Sequence, residues 1–412
     1  MSSRTPALPG VEAPDAGTRV GITDLAVKGF RTAREVFFSV GQLCALVGEA
    51  DAGKSNLLAA IRAVLDPAAA PLSAADAAAG SDGRISIRAT LADGRELALE
   101  STAGHGAEPV QESGVPVVFL PAEARAGPVL AGRTRRGKEH EAAAIFRREA
   151  SHRPPTSAAR ALSLVDALES CRARRVAGVV LLIEEPELYL RPQAQRYLYR
   201  VLRDFSQQNQ VIYSTHSPAF LNVARLDELV FVERLPSEGT HALRPQPMSA
   251  DEDFRVMTEF DAGRSELFLA RAAVLVEGQT EKLVLPFVFS ALGYDADREA
   301  ISIVECGGKP NIPFFSRICR ATGIPFVVVH DSDRRSSGRL APAERALNAL
   351  IAETAGEERV IVLEPDFEAA AGLIGHKPER AWREFAERTA VEMPEQLVRA
   401  AELALSLARS AR

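Results

Sequence analysis

A glycine-rich segment between an apolar strand and an amphipathic helix most constrains the fold of this chain. Residues 48–55 (GEADAGKS) match the pattern G-x-x-x-x-G-K-[ST] in full. The apolar run CALV precedes the segment and the helical pattern NLLAAI follows it, which is the context that this motif requires. Backbone N–H groups and the positive end of a helix can surround a phosphate. The sequence therefore predicts a phosphate-binding loop in an α/β domain.

Residues of this loop have predicted roles in binding a nucleotide. Gly48 and Gly53 are the two glycines of the pattern. Lys54 would reach the β- and γ-phosphates, and Ser55 would supply a hydroxyl group to Mg²⁺. Asn56, at the start of the helix, completes the predicted contacts with the nucleotide.

Two later strand ends extend the predicted nucleotide site. In LLIEEPELYL, Glu184 ends an apolar strand, where a carboxylate can order Mg²⁺, and Glu185 would polarise the attacking water. His216 follows the strand VIY in the run STHSP, where an imidazole can contact the γ-phosphate. Helix-capping glutamates and a structural histidine are the alternative interpretations. The order of the three elements favours the nucleotide site.

Carboxylates also follow apolar strands in the second half of the chain. Glu277 ends AVLVE, and Glu281 lies one helical turn further on. Asp331 and Asp333 end VVVHDSD, where the D-x-D spacing places both on one side of an extended segment. Carboxylates that converge at the ends of parallel strands repel one another unless a cation lies among them. All-oxygen ligands select Mg²⁺ or Mn²⁺ over zinc, so the sequence predicts a divalent-metal site.

Both sets of motifs resemble those of known families. The nucleotide elements resemble the ABC-type ATPase heads of the SMC and recombination-ATPase group, and the carboxylate pattern resembles the Toprim fold. Such a head followed by ELFLARAAVLVEGQTEKLVLP is similar to the OLD (overcoming lysogenization defect) family of nucleases, over roughly residues 20–380. This resemblance implies an α/β fold class, with an N-terminal ABC/SMC-like P-loop ATPase domain followed by a Rossmann-like Toprim domain.

The resemblance to the OLD family also implies cofactors, partners and further site residues. ATP with Mg²⁺ would occupy the loop, and the head would form a homodimer. In the family, two Mg²⁺ or Mn²⁺ ions activate water to cleave DNA phosphodiesters. The motif LEPDFE would bind the second metal through Glu364, Asp366 or Glu368. Lys377 in GHKPER matches a family lysine that stabilises the transition state.

Composition and strand–helix alternation predict the domain boundaries. We expect a disordered leader over 1–18, an ATPase domain over 19–245, a linker over 246–264, a Toprim nuclease domain over 265–380 and a helical tail over 381–412. At roughly 100–200 residues per domain, 412 residues correspond to two or three domains.

Hydrophobic periodicity predicts individual elements within the first domain. Alternating residues around Asp93-Gly94 predict a β-hairpin over 83–101. The continuous apolar run 176–183 predicts a central parallel strand. Residues 157–173 and 192–206 have helical periodicity.

Composition excludes several classes of protein. A hydrophobic share of 46% and a charged share of 25% exclude global disorder and a collagen-like chain. The net charge of −6 excludes a histone-like protein, although a local basic stripe or a bridging metal would still permit DNA binding. We expect a cytoplasmic protein with no membrane segment, because no apolar run reaches roughly 18 residues and the cysteines form no paired motif.

The sequence leaves the DNA contact and one alternative function open. Residues 133–153 form the most basic tract, which could hold DNA phosphates or be a solvated helix face balanced by its glutamates. The alternative to an endonuclease is an ATP-dependent switch with a weak or inactive Toprim domain that acts through a partner. A helicase or another defence partner, and a role in DNA repair or anti-phage defence, are compatible with the family. A transporter subunit is excluded, since it predicts a signature motif and no carboxylate cluster.

Overall fold

The computed structural model of the chain describes residues 21–102, 108–109, 113–122, 129–130, 141–151, 157–188, 190–221, 225–235, 237–334, 339–373, 375 and 378–410. The chain divides into two compact units. The first comprises Met1–Leu46 and Gly53–Thr215, and the second comprises Val47–Ala52 and His216–Arg412. The expected leader, 1–18, lies outside the described residues.

The first unit is an α/β structure that contains the helix after the phosphate loop. Its strands are β1 (Ile22–Phe30), β2 (Ala33–Ser39), β3 (Leu43–Val47), β4 (Ile85–Leu91), β5 (Glu96–Ser101), β6 (Glu108–Pro109), β7 (Val117–Leu120), β8 (Val129–Leu130), β9 (Val180–Glu184) and β10 (Gln210–Thr215). Its α-helices are α1 (Lys54–Leu65), α2 (Glu141–Ser151), α3 (Ser157–Ala173) and α4 (Pro192–Phe205). A short 3₁₀ turn covers Ala74–Asp76.

The strands of the first unit form an antiparallel group and a mostly parallel group. The antiparallel group has the order β6-β5-β4-β1-β2. The second group has the order β3-β10-β9-β7-β8, in which β10, β9 and β7 are parallel. The residues of β3 and β10 are all buried, as expected for strands covered on both faces. The predicted hairpin is confirmed, since β4 and β5 pair antiparallel on either side of Asp93-Gly94.

The second unit continues the strand–helix alternation. Its strands are β11 (Leu229–Leu235), β12 (Gly239–Leu243), β13 (Ala272–Val276), β14 (Ile301–Glu305), β15 (Phe326–Asp331) and β16 (Val360–Leu363). Its α-helices are α5 (Pro218–Leu221), α6 (Ala250–Glu259), α7 (Ala262–Ser265), α8 (Gln279–Ala291), α9 (Ile312–Thr322), α10 (Pro342–Ala355), α11 (Phe367–Ala371), α12 (Pro378–Glu387) and α13 (Glu395–Ser410). The 3₁₀ turns are Leu226–Glu228, Glu266–Leu269, Lys309–Asn311, Glu357–Arg359 and Ala390–Glu392.

A parallel sheet with the order β14-β13-β15-β16 organises the second unit. All five residues of β13 are buried, and helices α8 and α13 pack against this sheet through an apolar core that includes Phe289, Phe385 and Leu397. Because the strands are parallel, their carboxyl ends meet at one edge. Residues 246–264 contain α6 and α7. None of the helices described here is long and apolar enough to cross a membrane.

A buried glutamine links separate segments of the first unit. The side chain of Gln210 is fully buried at the start of β10. Its Oε1 accepts the backbone N–H of Ile22 at 2.9 Å, and its Nε2 donates to the carbonyl oxygens of Ile22 at 2.7 Å and Gly41 at 2.9 Å. These bonds satisfy two buried backbone groups of Ile22 and one partly buried carbonyl of Gly41, so removal of the amide lowers stability.

We expect Gln210→Leu to lower the free energy of unfolding of the first unit by about 2–4 kcal/mol, since it leaves buried N–H and C=O groups without partners. Urea unfolding followed by circular dichroism measures this loss. Gln208→Leu, at an exposed position two residues earlier, is the matched control and should change the stability little. Equal stability of the two variants would contradict this assignment.

Candidate active site

The phosphate loop begins with a glycine that no other residue can replace. Gly48 follows β3 with φ +158°, and a Cβ atom there would lie 1.9 Å from the carbonyl oxygen of Val232. Gly53, with φ +107°, is the N-cap of α1. Lys54 is the first residue of α1 and is 6% exposed, whereas Ser55 is exposed. The predicted strand–loop–helix context of the motif is confirmed.

Ser55 and Glu184 lie together in the first unit. Both line a cavity of about 290 Å³, together with Arg62 and Phe119. Glu184 ends β9, and its Oε2 accepts the backbone N–H of Ala122 at 2.9 Å. The structure thus brings together a hydroxyl and a carboxylate that the sequence predicts as ligands of a nucleotide-bound Mg²⁺.

Asn56 is held by the turn between β1 and β2. Its Nδ2 donates to Oγ1 of Thr32 at 2.6 Å, and its Oδ1 accepts from Arg31 at 3.4 Å. Arg31 also pairs with Asp76 at 2.9 Å. These contacts orient the first turn of α1 toward the β1–β2 turn.

The residues that follow β9 and β10 are packed against each other. Glu185 has φ +45°, and its N–H donates to the carbonyl oxygen and to Oγ of Ser214, at 3.1 and 3.2 Å. Glu187, 4% exposed, accepts from Oγ1 of Thr215 at 2.7 Å. Sequence reasoning gave Glu187 no role, although its place directly after the two glutamates was a signal. His216 is exposed and belongs to the second unit.

The carboxylates of the second unit converge at one edge of the parallel sheet. Glu277 follows β13, and Asp331 ends β15, the neighbouring strand. Oε2 of Glu277 accepts the backbone N–H of Asp331 at 3.4 Å. Glu281 lies in the first turn of α8 and is 5% exposed. The sequence prediction that parallel strand ends gather these side chains agrees with the geometry.

Burial and mutual repulsion disfavour ionisation of this cluster. Burial raises the pKa of Asp331 to about 8, with further contributions from Glu277 and Glu281. Burial likewise raises the pKa of Glu281 to about 7, and the charge of Glu277 adds to it. The pKa of Glu277 is also raised, chiefly by burial. Carboxylates with such pKa values are stabilised when a cation replaces their protons.

Oxygen donors suited to a hard cation are available in the cluster. Oδ1 of Asp331 is buried and has no hydrogen-bond partner among the described residues. Across the same residues, no three histidine, cysteine, aspartate or glutamate side chains are arranged as an assembled metal centre. The donor set fits Mg²⁺ or Mn²⁺ by chemistry, because all candidates are carboxylates.

A buried lysine, which the sequence reasoning missed, lies at the same edge. Lys309 is 3% exposed, and its Nζ lies 2.7 Å from Oδ2 of Asp333 and 3.4 Å from Oε2 of Glu344. Asp333 has φ +57°, and its N–H donates to the carbonyl oxygen of Pro365 at 2.9 Å. The signal for Lys309 was the Gly-Gly turn that precedes it, directly after β14.

The acidic residues of the LEPDFE motif, 363–368, differ in their surroundings. Glu364 accepts from Oγ of Ser332 at 2.8 Å and pairs with Arg334 at 3.4 Å. Asp366 caps α11 by accepting the N–H of Ala369 at 2.8 Å. The charges of Asp366 and Glu368 contribute to the raised pKa values of Asp331 and Glu281, respectively. Lys377 lies outside the described residues.

His330 and Ser332, which flank Asp331, now have structural roles. His330 is 1% exposed, and burial lowers its pKa. Its Nδ1 lies 2.8 Å from the carbonyl oxygen of Asp331, and since a carbonyl only accepts, this nitrogen carries the proton. Asn348 donates to the carbonyl oxygen of Ser332 at 3.1 Å. These bonds hold the backbone of the D-x-D segment.

The basic tract predicted to contact DNA, 133–153, lies only partly within the described residues. Residues 133–140 and 152–153 lie outside the described part of the chain, and 141–151 form α2. Within that helix Glu141 pairs with Arg174 at 3.3 Å. The role of this tract stays a prediction.

Comparison with protein families finds two matched segments. Residues 158–221 match the AAA ATPase domain family. Residues 268–333, which include Glu277, Glu281, Asp331 and Asp333, match the family described as overcoming lysogenization defect protein-like, TOPRIM domain. The chain is thus similar to the OLD nucleases over part of its length. Its fold class is α/β, with a segment that matches an AAA ATPase domain followed by a segment that matches a Toprim domain.

Two curated relatives carry the OLD name. The OLD nuclease of Thermus scotoductus is 38% identical over 223 residues, which cover 49% of this chain and 42% of that protein. The Old nuclease of Escherichia phage P2 is 30% identical over 165 residues, covering 38% of this chain and 28% of that protein. The chain therefore matches less than half the length of these OLD relatives.

Solved structures also show partial similarity. The SMC head domain from Thermotoga maritima has a TM-score of 0.37 at 16% identity, and the match covers 55% of this chain and 100% of that chain. The C-terminal region of the Burkholderia pseudomallei OLD protein has a TM-score of 0.27 at 20% identity, covering 35% of this chain and 98% of that chain. TM-scores this low carry no argument about the fold.

We expect Asp331→Asn to stabilise the second unit at alkaline pH without divalent ions. Because the pKa of Asp331 rises from 3.8 to about 8 on folding, the wild-type protein loses stability as pH rises across that interval. Asparagine cannot ionise, so at pH 8 in EDTA the variant should melt a few degrees above wild type, and at pH 4 the gain should vanish. Exposed Asp297→Asn is the control. An equal gain at both pH values would contradict the electrostatic explanation.

Proposed function

We propose that the chain is an ATP-binding and ATP-hydrolysing DNA endonuclease that depends on Mg²⁺ or Mn²⁺. The observation that carries this proposal is the convergence of buried Glu281 with half-buried Glu277 and Asp331 at one sheet edge, with an acceptor atom of Asp331 left without a partner among the described residues. The relatives named OLD nucleases support DNA as the substrate.

Three carboxylates would hold the first metal ion, and others would hold a second. Glu277, Glu281 and Asp331 are the proposed ligands of the first. Asp333, with Asp366 or Glu368, would reach a second ion, and Glu364 is less suited because Ser332 and Arg334 already engage it. When bound, such ions lower the pKa of coordinated water and stabilise negative charge on phosphodiester oxygens.

Other residues of the chain would position the reacting groups. The hydrogen bond from His330 to the backbone carbonyl oxygen of Asp331 would fix the backbone there, and so keep the Asp331 carboxylate at the strand end. The hydrogen bond from the Asp331 backbone N–H orients the carboxylate of Glu277. Lys377 remains a candidate for stabilising charge in the transition state.

The nucleotide site is proposed from the phosphate loop and β9. Gly48, Gly53 and Lys54 would bind the phosphates of ATP, with Asn56 beside them. Ser55 and Glu184 would hold the nucleotide-bound Mg²⁺, since both line one cavity. Glu185 would polarise the attacking water and His216 would contact the γ-phosphate. ATP binding would favour a homodimer of heads.

Cleavage of supercoiled plasmid in Mn²⁺ tests the endonuclease. We expect nicked or linear product from wild type, and a rate at least ~10²-fold lower for Asp331→Asn, because loss of a metal ligand removes several kcal/mol of transition-state stabilisation. Asp297→Asn, a change of the same chemistry at an exposed site, should cleave like wild type.

Two results would count against the endonuclease proposal. Equal cleavage by wild type and Asp331→Asn would assign the activity to another site or to a contaminant. Absence of cleavage by folded wild-type protein that binds Mn²⁺ would favour the regulatory switch that acts through a partner.

A contact within the second unit supports coupling between nucleotide and cleavage. Glu49 belongs to the phosphate loop, and Arg271 directly precedes β13, the strand that Glu277 follows. Arg271 binds both carboxylate oxygens of Glu49, with its Nε and Nη2 at 2.5 and 2.6 Å. Bidentate pairs of this kind are geometrically specific. A change in the loop on nucleotide binding would therefore reach β13 through this pair.

We expect Arg271→Gln to weaken the response of cleavage to ATP while leaving cleavage without ATP near the wild-type rate. Glu49→Gln should do the same, and the double variant should be no worse than either single variant, because both remove one interaction. ATP binding is checked by equilibrium dialysis, and Lys54→Ala is the reference for lost binding. Additive effects of the two substitutions, or an unchanged ATP response, would contradict coupling through this pair.

A further inference from the structure

Lys309 is the buried cation of the carboxylate edge and has no role in the account above. It begins the 3₁₀ turn Lys309–Asn311, which follows Gly307 and Gly308 at the end of β14. These glycines have φ +72° and +110°, and the N–H of Gly308 donates to the carbonyl oxygen of Glu277 at 2.8 Å. The turn is thereby tied to the residue that leads the carboxylate cluster.

The ammonium group of Lys309 is held between two carboxylates from different elements. Its Nζ donates to Asp333, after β15, at 2.7 Å, and to Glu344, in the first turn of α10, at 3.4 Å. The lysine side chain is 4% exposed, whereas those of Asp333 and Glu344 are 42% and 36% exposed. The fold therefore encloses the ammonium group, and the carboxylate of Asp333 is the more exposed partner of the pair.

The ion pair with Lys309 engages Asp333, one of the proposed metal ligands. The hydrogen bond from the Asp333 N–H to the carbonyl oxygen of Pro365 restrains the backbone of Asp333. Only rotation of the side chain can therefore change what its carboxylate contacts. In the structure it faces Lys309. A carboxylate that is engaged with an ammonium group binds a divalent cation less strongly, because the two positive charges compete for the same oxygens.

We propose that Lys309 is a positioning residue that holds Asp333 and limits the affinity of the cluster for divalent cations. This inference rests on the proposed metal-dependent function. Lys309 lowers the net negative charge of the edge, and it keeps Asp333 in a defined orientation from which the carboxylate can turn toward a metal. Loss of Lys309 therefore makes metal binding tighter and the catalytic arrangement less ordered.

The hypothesis that Lys309 has only a structural role predicts a different result. If Lys309 only stabilised the fold, its removal would lower both metal affinity and cleavage in parallel. Loss of a positioning cation changes metal affinity and the cleavage rate in opposite directions. The uncompensated negative charge attracts the metal more strongly, while a misplaced ligand slows the reaction.

Lys309→Met and Lys309→Arg separate these possibilities in the full-length, nucleotide-free protein. Mn²⁺ affinity is measured by calorimetry, with the heat of the Glu277→Gln/Asp331→Asn variant subtracted, and cleavage of plasmid is measured in saturating Mn²⁺. We expect Lys309→Met to bind Mn²⁺ about tenfold more tightly and to cleave about tenfold more slowly. Lys309→Arg keeps the charge and should bind Mn²⁺ within about twofold of wild type. Lys282→Met, at an exposed position on α8, is the control.

Glu344→Gln provides a second test if Lys309→Met does not fold. This substitution removes a carboxylate that offsets the positive charge of Lys309. Since the less compensated ammonium group repels a divalent cation more strongly, we expect Mn²⁺ affinity to fall about threefold. Unchanged or weaker Mn²⁺ binding by folded Lys309→Met, or unchanged binding by Glu344→Gln, would overturn the role of Lys309 while leaving the endonuclease intact. Absence of Mn²⁺ binding and of cleavage in wild type itself would instead overturn the proposed function, and this inference with it.

Discussion

The carboxyl edge of the sheet in the second unit is constrained by carboxylates that lie close together and are partly removed from water. Glu277, Glu281 and Asp331 gather where parallel strands and a helix begin or end, and burial raises the pKa of each. The backbone N–H of Asp331 offsets part of this repulsion by bonding Glu277. A chain selected only for stability would place apolar residues there, so the cluster indicates a site kept for chemistry.

The fold places these groups by ordinary rules of α/β structure. Parallel strands bring their carboxyl ends to one edge, and the loops that follow supply ligands from different parts of the chain. The same rule operates in the first unit, where β9 ends in Glu184 and the helix α1 begins with Lys54. Candidate site residues thus lie at strand ends in both units, and the Glu49–Arg271 pair joins the segment 48–55 to the start of β13, the strand that Glu277 follows.

The sequence could predict what depends on local pattern. The phosphate-loop motif, the hairpin around Asp93-Gly94 and the buried strand 180–184 follow from spacing and periodicity, and the structure agrees. The family matches agree with the resemblance to OLD nucleases. The contacts of Lys309 with Asp333 and Glu344 could not be predicted in this way, because they join three separate elements. The roles of His330 and Ser332 likewise depend on backbone contacts that a sequence does not reveal.

Anomalous diffraction from crystals soaked in Mn²⁺ would test the central claim most directly. The account predicts a peak within coordination distance of carboxylate oxygens of Glu277, Glu281 and Asp331, at the edge where β13 and β15 end, and no such peak in crystals of Asp331→Asn. A map with no peak at this edge, from well-ordered crystals at saturating Mn²⁺, would contradict the assignment of these carboxylates as a metal site.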